Sequence, residues 1–157
     1  MTATLRRKIA GKIAKQQGDA FEEAFEWKCR AASIAITRIP DGCEQGRGKL
    51  YRVKSPFDWF LSFQCWAFAL DTKSTAELAF PHWKIDRDQV DNLLSHQKQG
   101  TMAGYVIYMR TLNAVVFVAA SDLDRRLKSG KGSIKREDPD VTYLGNSQTF
   151  NPLLLFK

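Results

Sequence analysis

The apolar run Cys65-Trp66-Ala67-Phe68-Ala69-Leu70 passes directly into Asp71-Thr72-Lys73. Its aromatic content favours a strand, whose side chains alternate between two faces. Asp71 and Lys73 therefore project to one side, while Trp66, Phe68, Leu70 and Thr72 point to the other. A carboxylate and an ammonium on one surface suit phosphodiester chemistry. The carboxylate holds a hard divalent cation, and the lysine stabilises charge on a phosphate or positions the attacking water. The same triplet also occurs as an ordinary salt-bridging pair on an exposed strand, so its meaning depends on what surrounds it.

The neighbouring segments read as a mixed α/β domain over residues 1–157. Strong helix formers run from about residue 5 to 30, with Ile13, Ala20, Ala24, Trp27 and Ala31 at three- and four-residue steps; they read as one long helix, with a break near Gly18 as the alternative. Residues 33–39 alternate as a strand, ended by Pro40-Asp41-Gly42. Residues 41–55 are basic and begin glycine-rich, which predicts a loop or short projecting arm. Residues 57–63 and 65–73 read as two strands with no strong turn signal between them. Asp86 opens a second helix with Val90, Leu93 and Leu94 on its apolar side and Gly100 as its stop. Strands near 103–109 and 115–119 follow, turning around Leu112-Asn113, and Ser121 with Asp124 is the predicted cap of a short helix ending near Lys128. The tail at 150–157 is apolar and is expected to pack on this subunit or on a partner.

Lysine and arginine outnumber aspartate and glutamate 24 to 17, a formal charge of +7. This excess favours an anionic partner, nucleic acid first and an anionic membrane surface second. It is concentrated in residues 1–15, which include Lys12 and Lys15, in Arg47, Lys49, Arg52 and Lys54, and in residues 125–136, which include Lys131 and Lys135. These are the candidate DNA contacts, and Tyr51 is a candidate for stacking on unpaired bases. Cys29, Cys43 and Cys65 are odd in number and lack the close paired spacing of a zinc site, which fits a reducing setting. No apolar stretch is long enough to span a bilayer, and the basic N-terminus has no signal-peptide core. The reading is cytoplasmic, nucleoid-associated, with no membrane partner.

Three further residues bear on Asp71 and Lys73. Glu22 follows Gly18 by one helical turn, Asp58 lies on the strand before Asp71 on the face opposite Trp59 and Leu61, and Gln89 sits in the first turn of the second helix. Gln89 could equally be the third-position partner of a capping box begun by Asp86. Taken in order, Gly18-x-x-x-Glu22-Glu23, the strand ending Ile39-Pro40, Ser55-Pro56-Phe57-Asp58-Trp59, Asp71-Thr72-Lys73, Gln89-Val90 and Gly130-Lys131-Gly132-Ser133-Ile134-Lys135 resemble the PD-(D/E)xK nuclease superfamily. More closely they resemble the RecU-type Holliday-junction resolvases, over roughly residues 15–137.

The resemblance implies a restriction-endonuclease-like α/β core, with a mixed central sheet flanked by helices. It implies a metal-dependent DNA endonuclease that resolves four-way (Holliday) junctions by paired symmetric nicks as a homodimer. Asp58, Asp71 and Glu22 would hold Mg²⁺, for which Mn²⁺ could substitute; Lys73 would act on the water or phosphate, and Gln89 would help place either. Two departures stand out. Asp71 replaces the usual glutamate, and residues 40–55 are shorter than the family's stalk. Two other readings stay open: a nuclease of the same superfamily acting on ordinary duplex DNA, and a non-enzymatic basic DNA-binding module. Against the module stand acids facing DNA, which weaken binding unless a metal neutralises them.

Overall fold

A six-stranded mixed sheet, its strands in the order Ala35–Arg38, Trp59–Phe63, Trp66–Thr75, Met102–Met109, Ala114–Ala119 and Thr142–Gly145, carries helices on both faces. The computed structural model describes residues 3–46, 49–130 and 132–156, and among these the side chains of 8–42, 54–130 and 132–156. In chain order the elements are α1 (Ala3–Ala31), β1 (Ala35–Arg38), β2 (Gly42–Gly46), β3 (Lys49–Val53), β4 (Trp59–Phe63), β5 (Trp66–Thr75), α2 (Arg87–Lys98), β6 (Met102–Met109), β7 (Ala114–Ala119), α3 (Ala120–Ser129) and β8 (Thr142–Gly145). Single 3₁₀ turns lie at His82–Lys84 and Pro152–Phe156. The β5–β6 pair is parallel and bridged by α2, while every other pair is antiparallel. A mixed sheet with flanking helices is the α/β architecture expected from the order of elements in the sequence.

Burial explains the layers. On one face Phe21, Phe25 and Cys29 of α1 pack against Trp59, Leu61, Phe68, Leu70 and Val106. On the other, Val90 and Leu93 of α2 and Leu123 of α3 cover Ala69, Tyr105, Ile107 and Val116. Strands buried on both faces are therefore nearly continuous apolar runs, and β6 and β7 read that way in sequence.

Several expectations need correction. The first helix is the one long helix expected, unbroken at Gly18, but its buried stripe is Phe21-Phe25-Cys29, and Ile13 and Trp27 are exposed. Larger rings at consecutive four-residue steps reach the sheet better than the alanine row beside them. The β4–β5 turn is made by Gln64-Cys65, with Gln64 at φ 53°, a conformation that carries no glycine signature. Short helix α3 forms where predicted, but Ser121 and Asp124 do not cap it. Ala119 occupies the cap position without a side-chain bond, and Gln97 of α2 accepts the Ser121 N–H at 3.2 Å. Within the segment 41–55, expected as a loop or short arm, Gly42–Gly46 and Lys49–Val53 pair as the antiparallel strands β2 and β3. The apolar tail packs on its own subunit, with Phe156 against Phe63 and Phe68 and Leu155 buried.

Phe25 is fully buried between Trp59 and Phe150, whereas Trp27, two residues on, is 67% exposed. Phe25→Ala should destabilise the fold by about 3–5 kcal/mol, and Trp27→Ala by under about 1 kcal/mol. Urea denaturation followed by circular dichroism measures both; similar losses would contradict the packing described.

Candidate active site

β4 pairs with β5 only as far as Leu70, so residues 71–75 of β5 have β6 on one flank and no strand on the other. A side chain fills the gap. The Thr72 N–H donates to Asp58 Oδ2 at 2.8 Å, and the Thr72 hydroxyl donates to the same oxygen at 3.0 Å. Trp59 Nε1 in turn donates to that hydroxyl oxygen at 3.3 Å. Main chain fixes Asp58 from behind, since its N–H donates to the Leu70 carbonyl at 3.1 Å and its own carbonyl accepts from Ile39 N–H at 2.8 Å.

Asp71 is fully buried and forms an ion pair with Lys73. Lys73 Nζ also donates to Gln89 Oε1 at 2.9 Å and lies 5.1 Å from the Tyr105 ring centroid. The Tyr105 hydroxyl donates to the same Gln89 oxygen at 3.3 Å. Gln89 is thus no capping-box partner. Asp86 caps α2 by accepting from the N–H groups of Asp88 and Gln89, while the Gln89 side chain turns into the site. Asp71 Oδ1 and Gln89 Nε2 are buried without a hydrogen-bond partner.

The two aspartates are electrostatically coupled. Burial pushes the Asp71 carboxyl up to about 8, the Asp58 carboxylate reinforces this, and Lys73 opposes it only in part. Burial also acts to raise Asp58, but the neighbouring Asp71 carboxyl, the hydrogen bonds from Thr72 and the charge of Lys73 outweigh it and hold that group below the ordinary aspartate value. Two close carboxylates avoid double ionisation by keeping a proton between them, and a divalent cation neutralises the same charge.

Glu22 stands at the margin. Its Oε2 accepts from Arg38 Nη2 at 2.8 Å, and the Arg38 guanidinium lies 5.5 Å from the Trp59 ring centroid. Burial raises the Glu22 carboxyl, Arg38 opposes, and the fields of Asp58 and Lys73 both reach it. Among the described residues no three His, Cys, Asp or Glu side chains form a ready-made metal group. The side chains that could hold a cation are those of Asp58 and Asp71. They fit Mg²⁺, which is commonly held by one or two carboxylates and keeps several waters, and the unpartnered Asp71 oxygen is a suitable hard ligand.

The candidate DNA contacts are scattered. Lys12 and Lys15 are exposed on α1, and Lys54 forms an ion pair with Asp86 at 3.2 Å, at the entry to α2. Lys135 lines a separate cleft of about 510 Å³ with Arg125 and Arg126. Arg47 and Lys131 lie outside the described residues; Lys49, Tyr51 and Arg52 belong to β3, with side chains also outside them. Sequence reasoning missed Thr72, Tyr105 and Arg38. The first left a signal, because it is a hydroxyl at a core-facing strand position.

No protein-family model matches the chain, and no curated protein matches it. Among solved structures it is similar to Archaeoglobus fulgidus Hjc, a Holliday junction resolvase from an archaeal hyperthermophile. The identity is 20%, over 66% of this chain and 78% of that one, with a TM-score of 0.48.

Because the folded state raises Asp71 from 3.8 to about 8, its contribution to stability is complete below the unfolded value and is lost as pH rises through the folded one. Asp58, lowered in the fold, stays ionised across the neutral range. In EDTA, Asp71→Asn should therefore gain thermal stability over the wild type by a few degrees between about pH 6 and about pH 9. Melting curves at the two pH values check this; a constant difference would mean that Asp71 does not titrate there.

Proposed function

We propose that this chain is a Mg²⁺-dependent, structure-selective DNA endonuclease of the PD-(D/E)xK superfamily, of the RecU type, that resolves four-way junctions by paired symmetric nicks. It acts as a homodimer on branched DNA at the nucleoid, in the cytoplasm. The observation that carries the reading is the buried Asp71 carboxylate set against Asp58, with Lys73 clamped between Asp71 and Gln89.

Asp58 and Asp71 would hold the cation through their carboxylate oxygens. Bound there, Mg²⁺ supplies Lewis acidity at the scissile phosphate, and Mn²⁺ substitutes through the same oxygen-ligand preference. Lys73 Nζ orients the attacking water or meets charge developing on the phosphate. Gln89 aims Lys73, and Tyr105 in turn aims Gln89. Glu22, now paired with Arg38, would be a further carboxylate ligand for the cation.

Recognition rests on phosphates and branch shape, with Lys12, Lys15, Lys54, Lys131, Lys135, Arg47, Lys49 and Arg52 as the phosphate contacts and Tyr51 as the residue that stacks on unpaired bases. A two-fold dimer presents one site to each of two symmetric strands.

A labelled four-way junction incubated with and without Mg²⁺ tests the reading. The wild type should make symmetric nicks only with the metal and should spare the linear arms. Asp71→Asn and Lys73→Ala should each slow nicking on the order of a hundred- to a thousand-fold while still binding the junction. Cleavage within a few-fold of wild type would sink the site assignment, and equal cutting of linear arms would remove the junction selectivity. Light scattering should give a mass near twice 17.8 kDa; a strict monomer that nicks both strands would contradict the dimer.

A further inference from the structure

Residues 76–85 join the strand carrying Asp71 and Lys73 to the helix carrying Gln89, and they display Trp83 at 77% exposure and Leu78 at 63%. Tryptophan is among the most buried residues on average, so one left almost wholly in water calls for a partner. Trp83 does not hang on a loose loop. It sits in the His82–Lys84 turn, closed by Lys84 N–H to the Pro81 carbonyl and by Ile85 N–H to the His82 carbonyl, both at 3.0 Å. Buried Phe80, bridged to Ile134, and buried Ile85 anchor the segment on either side. Lys84 Nζ stands 5.1 Å from the Trp83 ring centroid and 3.3 Å from Glu77 Oε1.

We propose that Trp83, with Lys84 beside it, is a stacking platform for an unpaired nucleotide base of the bound DNA. An exposed, rigidly mounted indole offers a π-face to any base, and an adjacent ammonium suits that nucleotide's phosphate. The location fits. Trp83 lies three residues before Asp86, at most about 11 Å of chain, and Asp86 caps the turn that holds Gln89 against Lys73. Successive bases of one strand are about 3.4 Å apart along a duplex axis, so the chain length between Trp83 and the helix start at Asp86 corresponds to about three nucleotides. Base pairs inside a duplex hide their faces by stacking on one another. Trp83 therefore engages bases that are unpaired or splayed, as at a branch, and it selects for them. The proposal rests on DNA occupying the Asp58–Asp71–Lys73 site.

The test measures binding by the full chain in EDTA, where cleavage plays no part, with a labelled four-way junction, a single strand and a matched linear duplex. Trp83→Ala should weaken junction and single-strand binding roughly five- to a hundred-fold and duplex binding by less than about three-fold. Trp83→Phe should keep most of the affinity. Trp66→Ala, another exposed tryptophan but at the far end of β5, should change none of the three. Junction binding should also quench tryptophan emission in the wild type, and Trp83→Phe should remove most of that quenching. Equal losses on branched and linear DNA, or unchanged affinity with Trp83→Ala, would overturn the platform. So would a Trp83→Ala defect seen only in self-association by light scattering, which would make Trp83 a protein contact. Wild type that binds no DNA at all would overturn both the platform and the nuclease reading; wild type that binds branched DNA through Trp83 yet never nicks would overturn the nuclease reading alone.

Discussion

The hydrogen bonds that Thr72 donates to Asp58 hold the site and the sheet together. β4 leaves β5 after Leu70, and the next main-chain donor on that edge, the Thr72 N–H, would otherwise lose its ladder partner. A buried donor without an acceptor costs about 1–3 kcal/mol. Asp58 removes that cost, and in doing so a carboxylate is set beside Asp71. Trp59 extends the same chain of bonds into the core beneath α1, so the packing of Phe25 on Trp59 is connected to the position of the Asp58 oxygens.

Burial gives the acid pair its chemical character. A carboxylate with no solvent contact is costly to ionise, and Asp71 keeps its place through the Lys73 ion pair and the charge it shares with Asp58. The same low-dielectric surroundings strengthen every interaction that Lys73 and Gln89 make, so the groups are oriented before any substrate arrives. Tyr105, facing Asp71 across the parallel β5–β6 register, completes this arrangement from the neighbouring strand.

The basic excess is spent unevenly. Arg126 is nearly buried and is held by Asp138 and Asp140, and Arg87 and Lys128 share Asp124. These pairs are structural and leave a smaller free cationic surface than the net charge suggests. Lys12 and Lys15, exposed on α1, lie outside them.

What the sequence determined by itself was periodicity and local chemistry. Alternation fixed Asp71 and Lys73 on one face of β5, the apolar runs fixed β6 and β7, and Asp86 fixed the start of α2, because each depends on neighbours a few residues away. Tertiary structure decided the rest. Whether Gln89 would cap its own helix or clamp Lys73 depended on the crossover that sets α2 against β5 and β6, and Glu22 was drawn to Arg38 only because α1 lies over β1. The tail buried itself once Phe63 and Phe68 were brought under it, and the stripe on α1 was chosen by the rings the sheet had room for. A hydroxyl between an acid and a lysine became the ligand of a second acid for the same reason. Hydrogen-bond partners far apart in the chain meet only when the strands stop at different lengths, and no local pattern encodes that difference.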